Sequence, residues 1–422
     1  MQLTTSKRLA IAALGIASAF GSAFASERTA AAQVVTVNTT HGIYYEKPFR
    51  TEMFVYTPSV TLTATPWSWL SVSGGWEADV VSGASVKTKA GPAYKATQPA
   101  ADVITTASVK DLRNLGTGNV AFKKDNTSFG GGYTYSTEND YKSQSFNVFA
   151  RTELFEHNTQ LQIDYAHNFD RVCDTLQSPN VADALRATLA SSKGCFTDDV
   201  TRPSRGLAID NLQGSWSQAW TPTFQTQLIY TLQIVNGFQS NPYRAVILGQ
   251  GIQAQENHPE NRARHALQTR GNIYIKPLKA ALRLGLRGYW DTWDVLSGTA
   301  EIDFEKYFGE HFRVGLRGRF YMQRGALFWS DDYSGGDPPL GPKGRYFTGD
   351  RELSPFYSVL GGLSFTYGAV ATGHRLLGFM NDFKLVGSVN MMQFEYQDYT
   401  LAGNSISNAR AWLVNLGLNV GF

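Results

Sequence analysis

The chain has 422 residues, 38 of them basic and 35 acidic, and a formal charge of +3 at pH 7. So balanced a composition offers no basic tail or patch that would recommend nucleic acid as a partner. Nowhere after residue 25 do ~18 consecutive apolar residues occur, so this chain could cross a membrane only as strands.

The first element is a targeting segment. Lys7 and Arg8 form a positive region, Leu9 to Phe20 are mostly apolar, and Ala23-Phe24-Ala25 has the small-x-small pattern of a signal-peptidase site. The alternative is an uncleaved anchor, for which the apolar run is short. Export with cleavage before Ser26 is expected, leaving 26–422 as one domain. About 400 residues could hold two soluble domains, but no linker, composition break or fixed-period repeat marks a boundary.

From Val34 onward the dominant period is two. In 54–62, Phe54, Tyr56, Val60 and Leu62 alternate with Val55, Thr57, Ser59 and Thr61. In 69–80, Leu70, Val72, Trp76, Ala78 and Val80 alternate with Ser71, Ser73, Glu77 and Asp79. The pattern predicts about sixteen strands, near 34–46, 52–64, 69–82, 107–121, 127–138, 143–155, 159–170, 206–219, 224–236, 263–276, 280–294, 299–308, 312–326, 355–367, 382–397 and 409–422. Such alternation fits a soluble sandwich or a transmembrane barrel. The connections separate the two. Most even connections are short, at 65–68, 122–126, 156–158, 221–223, 276–279 and 309–311, with 368–381 longer. Several odd ones are long, at 83–106, 171–205, 237–262, 327–354 and 398–408. Sorting by parity puts short turns at one end and long loops at the other, as in an up-and-down antiparallel outer-membrane barrel with periplasmic turns and external loops. Trp67, Trp69, Trp216, Trp220, Trp290 and Trp293 stand near strand ends, where aromatic girdles lie.

The chain's only cysteines, Cys173 and Cys195, lie in the second long connection, 171–205, and, in an exported chain, are expected to form a disulfide. Strands ten to thirteen concentrate charge on the face opposite their apolar side chains. Strand eleven turns Arg283, Arg287 and Asp291 to that face, strand twelve Glu301, Asp303 and Glu305, and strand thirteen Arg313, Arg317 and Arg319. Arg264 and Arg270 extend the band. An arginine on the lipid face costs ~2–4 kcal/mol near mid-bilayer, so the charges are expected inward. Across the 309–311 turn, residue numbers summing to 618 pair Glu305 with Arg313 and Glu301 with Arg317. A sum of 620 pairs Asp303 with Arg317 and Glu301 with Arg319. Both set acids beside bases. This strip reads either as a charged solute path or as a ladder that stiffens the wall and pins register.

Asp331, Asp332, Asp337, Asp350 and Glu352 in 327–354 lack the spacing of a calcium loop, and a solvated external loop is the simpler reading. The chain closes on Leu416-Gly417 and Val420-Gly421-Phe422, which looks like the terminal assembly signal of bacterial outer-membrane barrels. No G-x-S-x-G, H-E-x-x-H or nucleotide loop occurs, the histidines are scattered, and neither metal nor cofactor is expected.

Four stretches, GFQSNPYRAV (237–246), HPENRARHAL (258–267), YWDTWDV (289–295) and YFTGDRELSPF (346–356), resemble a family of proteobacterial outer-membrane barrel proteins of unknown function. HGIYYEK (41–47) and ASV (84–86) fit it less specifically. The resemblance implies an outer-membrane barrel and makes Asp291 and Asp294 candidates for a family role; holding the strand end by hydrogen bonds is the alternative. The functional expectation is a channel or transport-related barrel whose partners are outer-membrane lipid, the barrel-assembly machinery and a small solute. A structural barrel presenting its loops is the second reading, and an outer-membrane hydrolase the third.

Overall fold

A computed structural model describes residues 35–47, 53–82, 103–105, 110–175, 194–196, 202–249, 252–333, 339–370, 376–398, 400–401, 404–405 and 408–422. The expected leader, ASV at 84–86 and Asp337 lie outside them. Sixteen strands close into one barrel in which each strand pairs with its sequence neighbours. In chain order they are β1 (Val35–Lys47), β2 (Met53–Trp67), β3 (Leu70–Ser82), β4 (Lys110–Lys124), β5 (Thr127–Thr137), β6 (Tyr141–Leu154), β7 (Thr159–Cys173) and β8 (Ser204–Thr221). They continue as β9 (Phe224–Gly237), β10 (Asn261–Ile275), β11 (Ala280–Asp291), β12 (Leu296–Phe308), β13 (Phe312–Gln323), β14 (Phe356–Val370), β15 (Asp382–Tyr396) and β16 (Asn408–Gly421). Closure runs from Thr36 opposite Gly421 to Lys47 opposite Arg410. It leaves no open sheet edge, the condition for strands to stand in lipid.

The two-residue period sorts side chains by face. Leu284, Leu286, Ile302, Leu316, Phe320 and Met322 are exposed on the outer face. Polar groups sit there too: Tyr165 and His167 each contact Asp210 Oδ1 at 2.7 Å, and Tyr230 Oη lies 2.8 Å from His265 Nδ1. Aromatic rings stack at the turn end of the barrel, with Trp67 on Trp69 (5.4 Å between centroids), Trp69 on Phe122 (6.2 Å) and Phe122 on Phe129 (5.3 Å). Trp290 lies on the outer face stacked on His265 at 5.2 Å. Trp293 does not join a girdle: it is buried in a loop core.

Connection parity holds with exceptions. At the turn end, six of the seven connections are tight; Gly309 (φ 66°) takes a left-handed conformation in the three-residue 309–311 turn. The seventh, 371–381, is longer. At the opposite end, 48–52, 138–140 and 292–295 are also short, while 83–109, 174–203, 238–260, 324–355 and 397–407 are long. The long loops are not featureless. Arg244–Leu248 and Ile252–Gln255 form a hairpin that pairs with Val103–Thr105 in a small three-stranded sheet.

Candidate functional site

The charged strip lies on the four adjacent strands β10 to β13. The β12–β13 register is the one summing to 620: Glu301 opposes Arg319 and Asp303 opposes Arg317. Across β11–β12, Arg283 opposes Asp303, Gly285 opposes Glu301 and Arg287 opposes Thr299. The three acids stand on one strand with arginines on both sides. Arg319 Nε lies 3.5 Å from Glu301, and Arg317 Nε 2.5 Å from Asp303. Glu305 is shared by Arg283 at 3.2 Å and Arg313 at 3.6 Å, both reached diagonally. Arg317 and Arg283 side chains are 57% and 45% exposed, so water reaches the ladder. At such exposure each pair contributes on the order of 0–1 kcal/mol to stability, and its larger effect is the field it creates.

The strip is not balanced. Arg262, Arg264, Arg270, Arg283, Arg287, Arg313, Arg317 and Arg319 share the inner face with only Asp291, Glu301, Asp303 and Glu305. Among the described residues, Arg264, Arg270 and Arg287 have no ion pair. Arg264 Nη1 donates to Gln233 Oε1 at 2.7 Å, while its buried Nε has no hydrogen-bond partner. Arg270 Nε and Nη2 each lie 3.0 Å from Gln268 Oε1 when that amide is turned to accept. Arg287 is exposed, and the residues opposite it, Gln268 and Thr299, are neutral.

Asp291 stands apart from the ladder. Its side chain is fully buried and paired with Arg262. Oδ1 accepts from the backbone of Trp293 (2.9 Å) and Val295 (3.1 Å); Oδ2 accepts from Tyr289 Oη (2.5 Å) and Arg262 Nε (2.8 Å). These bonds tie the β11–β12 connection. Arg262 also lies over the Trp293 ring at 3.9 Å. Asp294 is exposed and pairs with Arg324 at 2.5 Å.

Beyond Asp291 lies a cluster that the sequence alone did not suggest. Trp293, Val295, Ala326, Phe328, Trp329 and Leu353 form an apolar core, with Tyr289 and Tyr346 against it. Beside that core, Arg244 Nη1 pairs with Asp350 at 2.8 Å and contacts Glu256 at 3.5 Å. Glu256 Oε1 accepts from Thr348 Oγ1 (2.8 Å) and Gly349 N (3.1 Å), and His258 Nε2 is 3.7 Å from its other oxygen. Arg351 reaches Glu46 on β1 at 2.7 Å. Loop 324–355 is thereby bolted to hairpin 244–255 on one side and to β1 on the other. Asp350, expected in a solvated loop, is instead 2% exposed. Burial pushes Glu256 up to about 7 and His258 down to about 4. Burial also pushes Asp350 up, but the Arg244 guanidinium outweighs it and holds that carboxyl below its usual range. The four resemblance-bearing stretches supply Arg244, His258 and Arg262, Asp291 and Trp293, and Thr348 to Leu353. They meet in this one unit.

Cys173, at the end of β7, is bonded to Cys195 with Cα atoms 5.7 Å apart, and both pack with Tyr243. At the turn end, Phe422 N donates to Val35 O (2.9 Å) and its ring stacks on Phe379 at 6.1 Å. Leu416 is exposed on the outer face, Gly417 lies between Thr40 and Val386, and Val420 between Val37 and Phe383.

Residues 6–381 match the family described as "Protein of unknown function (DUF3570)". No curated protein matches the chain. Among solved structures, it is similar to a bacterial polysaccharide outer membrane secretin at 6% identity, with 93% of this chain and 100% of the other covered and a TM-score of 0.49. It is also similar to OccD3 (OpdP) of Pseudomonas aeruginosa at 8% identity, 93% of each chain covered and a TM-score of 0.41. A BenF-like porin from Pseudomonas fluorescens Pf-5 is similar at 6% identity, 92% and 98% covered, TM-score 0.41.

Proposed function

The chain belongs to the DUF3570 family, and from the inner face of its barrel we propose that it is an outer-membrane channel for small solutes, with a lumen that favours anions. One observation carries this reading: on the inner face of β10 to β13, apart from the buried Arg262–Asp291 pair, seven arginines meet three acids, with Arg283 and Arg317 open to water. A sixteen-stranded barrel is wide enough for an aqueous path, and one sign of charge along a low-dielectric wall raises the local concentration of the opposite ion. On this reading the leader 1–25 is removed after export and the long loops face outward. The terminal strand, with Leu416, Gly417, Val420 and Phe422, guides assembly. The lipid-facing belt supplies the membrane anchor. No residue acts as a catalyst in this account.

Liposome swelling tests permeation. Purified barrel reconstituted in vesicles is expected to admit small anionic solutes faster than neutral solutes of equal size. Vesicles that stay impermeable would refute the channel. The folded loop layer favours a second reading, a barrel that presents its loops to a partner. That reading predicts no swelling, and binding lost when hairpin 244–255 is removed.

A further inference from the structure

We infer that the loop end of the barrel is closed by a gate, segment 339–355, held shut by ion-pair latches on two sides of the mouth: Arg351 on Glu46 of β1, and Asp350 on Arg244 of the hairpin. The inference rests on the channel reading and adds to it the step that admits solute.

The inner wall changes character along its length. Toward the turns it is wet: Gln225 is exposed, and Arg283 and Arg317 are open to water. Toward the loops it is covered. Leu207 and Ile209 on β8 and Val235 on β9 are buried in one apolar cluster, with Tyr141 of β6 and Val172 of β7 against it. Phe394 and Tyr396 on β15 and Ala409 and Ala411 on β16 are buried in another, with Tyr44 of β1 and Phe356 of β14 against it. These positions alternate with the exposed outer side chains and so face inward. An open mouth would leave such an apolar rim in water; here chain is packed over it.

The loops reach that position by crossing the mouth. Val103–Thr105, between β3 and β4, pairs with Arg244–Leu248, between β9 and β10. Those connections stand six strands apart in a ring of sixteen, so their pairing spans the opening. Segment 339–355 completes the layer from the β13–β14 side. Phe347 exchanges both backbone hydrogen bonds with Asn257, at 2.9 and 3.1 Å, and Arg351 reaches Glu46, three strands beyond β14, at 2.7 Å.

The seam of this segment is charged. Arg244, Glu256, Asp350, Arg351 and Glu46 are all buried where it meets its neighbours. A permanent plug would hold as well or better with apolar side chains of the same volume, because desolvation offsets most of a buried pair's attraction. A charged seam has another property: its groups regain hydration when it parts, so opening exposes ions to water rather than an apolar surface. Phe347, the large apolar side chain of the segment, packs on Tyr333 of the same loop and travels with it. Brief openings then supply the flux through the native barrel.

Single-channel recording in planar bilayers tests the gate. Asn257→Cys with Phe347→Cys joins positions whose paired backbones hold Cα atoms about 5.5 Å apart, within disulfide range. Oxidation of that double variant is expected to lower open probability about tenfold or more, and dithiothreitol to restore it. Native barrel recorded with and without dithiothreitol controls for the Cys173–Cys195 bond. Arg351→Gln and Arg244→Gln should each raise open probability about tenfold. Unitary conductance and reversal potential should stay unchanged, because the wall on β10 to β13 is untouched. Each variant is checked for heat-modifiable migration, and if the arginine variants misassemble, the crosslink decides. Conduction indifferent to the crosslink, or latch variants that open no more often than native barrel, would overturn the gate and keep the channel. Absence of conductance in reduced, oxidised and latch-variant barrel alike would discard both.

Discussion

Glu256 and His258 sit two residues apart in one buried cluster, and burial moves them in opposite directions. Glu256 is at about 7 when folded against an ordinary value of 4.5. The closed loop therefore holds a proton that the opened loop releases. That contribution is complete below about 4.5 and is lost as pH rises through about 7. His258 is at about 4 against 6.5; its contribution is present above about 6.5 and lost as pH falls through about 4. Between 4.5 and 6.5 the two slopes oppose, with Asp350 held ionised by Arg244. Hydrogen-exchange protection of 347–354, corrected for the intrinsic rate at each pH, is therefore predicted to be nearly flat with pH across that window. Glu256→Gln should leave the His258 slope alone, so protection falls on acidification from 6.5 to 4. His258→Gln should leave the Glu256 slope, so protection falls as pH rises from 4.5 to 7. Each shift corresponds to about 3 kcal/mol at most. Flat profiles in both variants would refute the assignment. Nothing in the sequence announced this pair, because Glu256 and His258 read as ordinary loop residues until Arg244, Thr348 and Asp350 come from distant segments to bury them.

At the scale of the strand, β12 shows how much was legible and where it stopped. The alternation of Glu301, Asp303 and Glu305 with Ile302 and Phe304 assigned faces without a structure, since a one-residue slip would put every charge in lipid. Alternation could not choose between the two same-face registers, because both place acids beside bases. The turn chooses. Gly309 accepts a positive φ, Phe308 pairs with Phe312, and their rings lie 6.3 Å apart, which sets the sum at 620. A solvated pair such as Arg317–Asp303 should matter to the field more than to the fold. Asp303→Asn is expected to change thermal stability by less than about 1 kcal/mol and to increase anion preference in a reversal-potential measurement. A larger destabilisation with unchanged selectivity would mark the ladder as structural.

Across the whole molecule, parity of loop length revealed the barrel because hairpin connections alternate between two ends, a property of chain order that survives errors in individual strands. The loop layer was hidden for the converse reason. Its contacts, Arg244 with Asp350 and Arg351 with Glu46, join segments that no local period links. Trp293 shows the limit within one dipeptide pattern: like Trp290 it stands at a strand end, yet Trp290 faces outward while Trp293 packs under Arg262. The resulting architecture places a solvated, arginine-rich wall on β10 to β13, with a bolted loop layer at the ends of the same strands. Its central claim is that ions pass this wall and feel its excess positive charge. A reversal potential measured across a planar bilayer under a potassium chloride gradient tests that directly. The potential is predicted to lie on the chloride side of zero and to move toward zero when Arg283, Arg287 and Arg317 are changed to Gln. A cation-side potential, or no conductance from assembled barrel, would contradict the account.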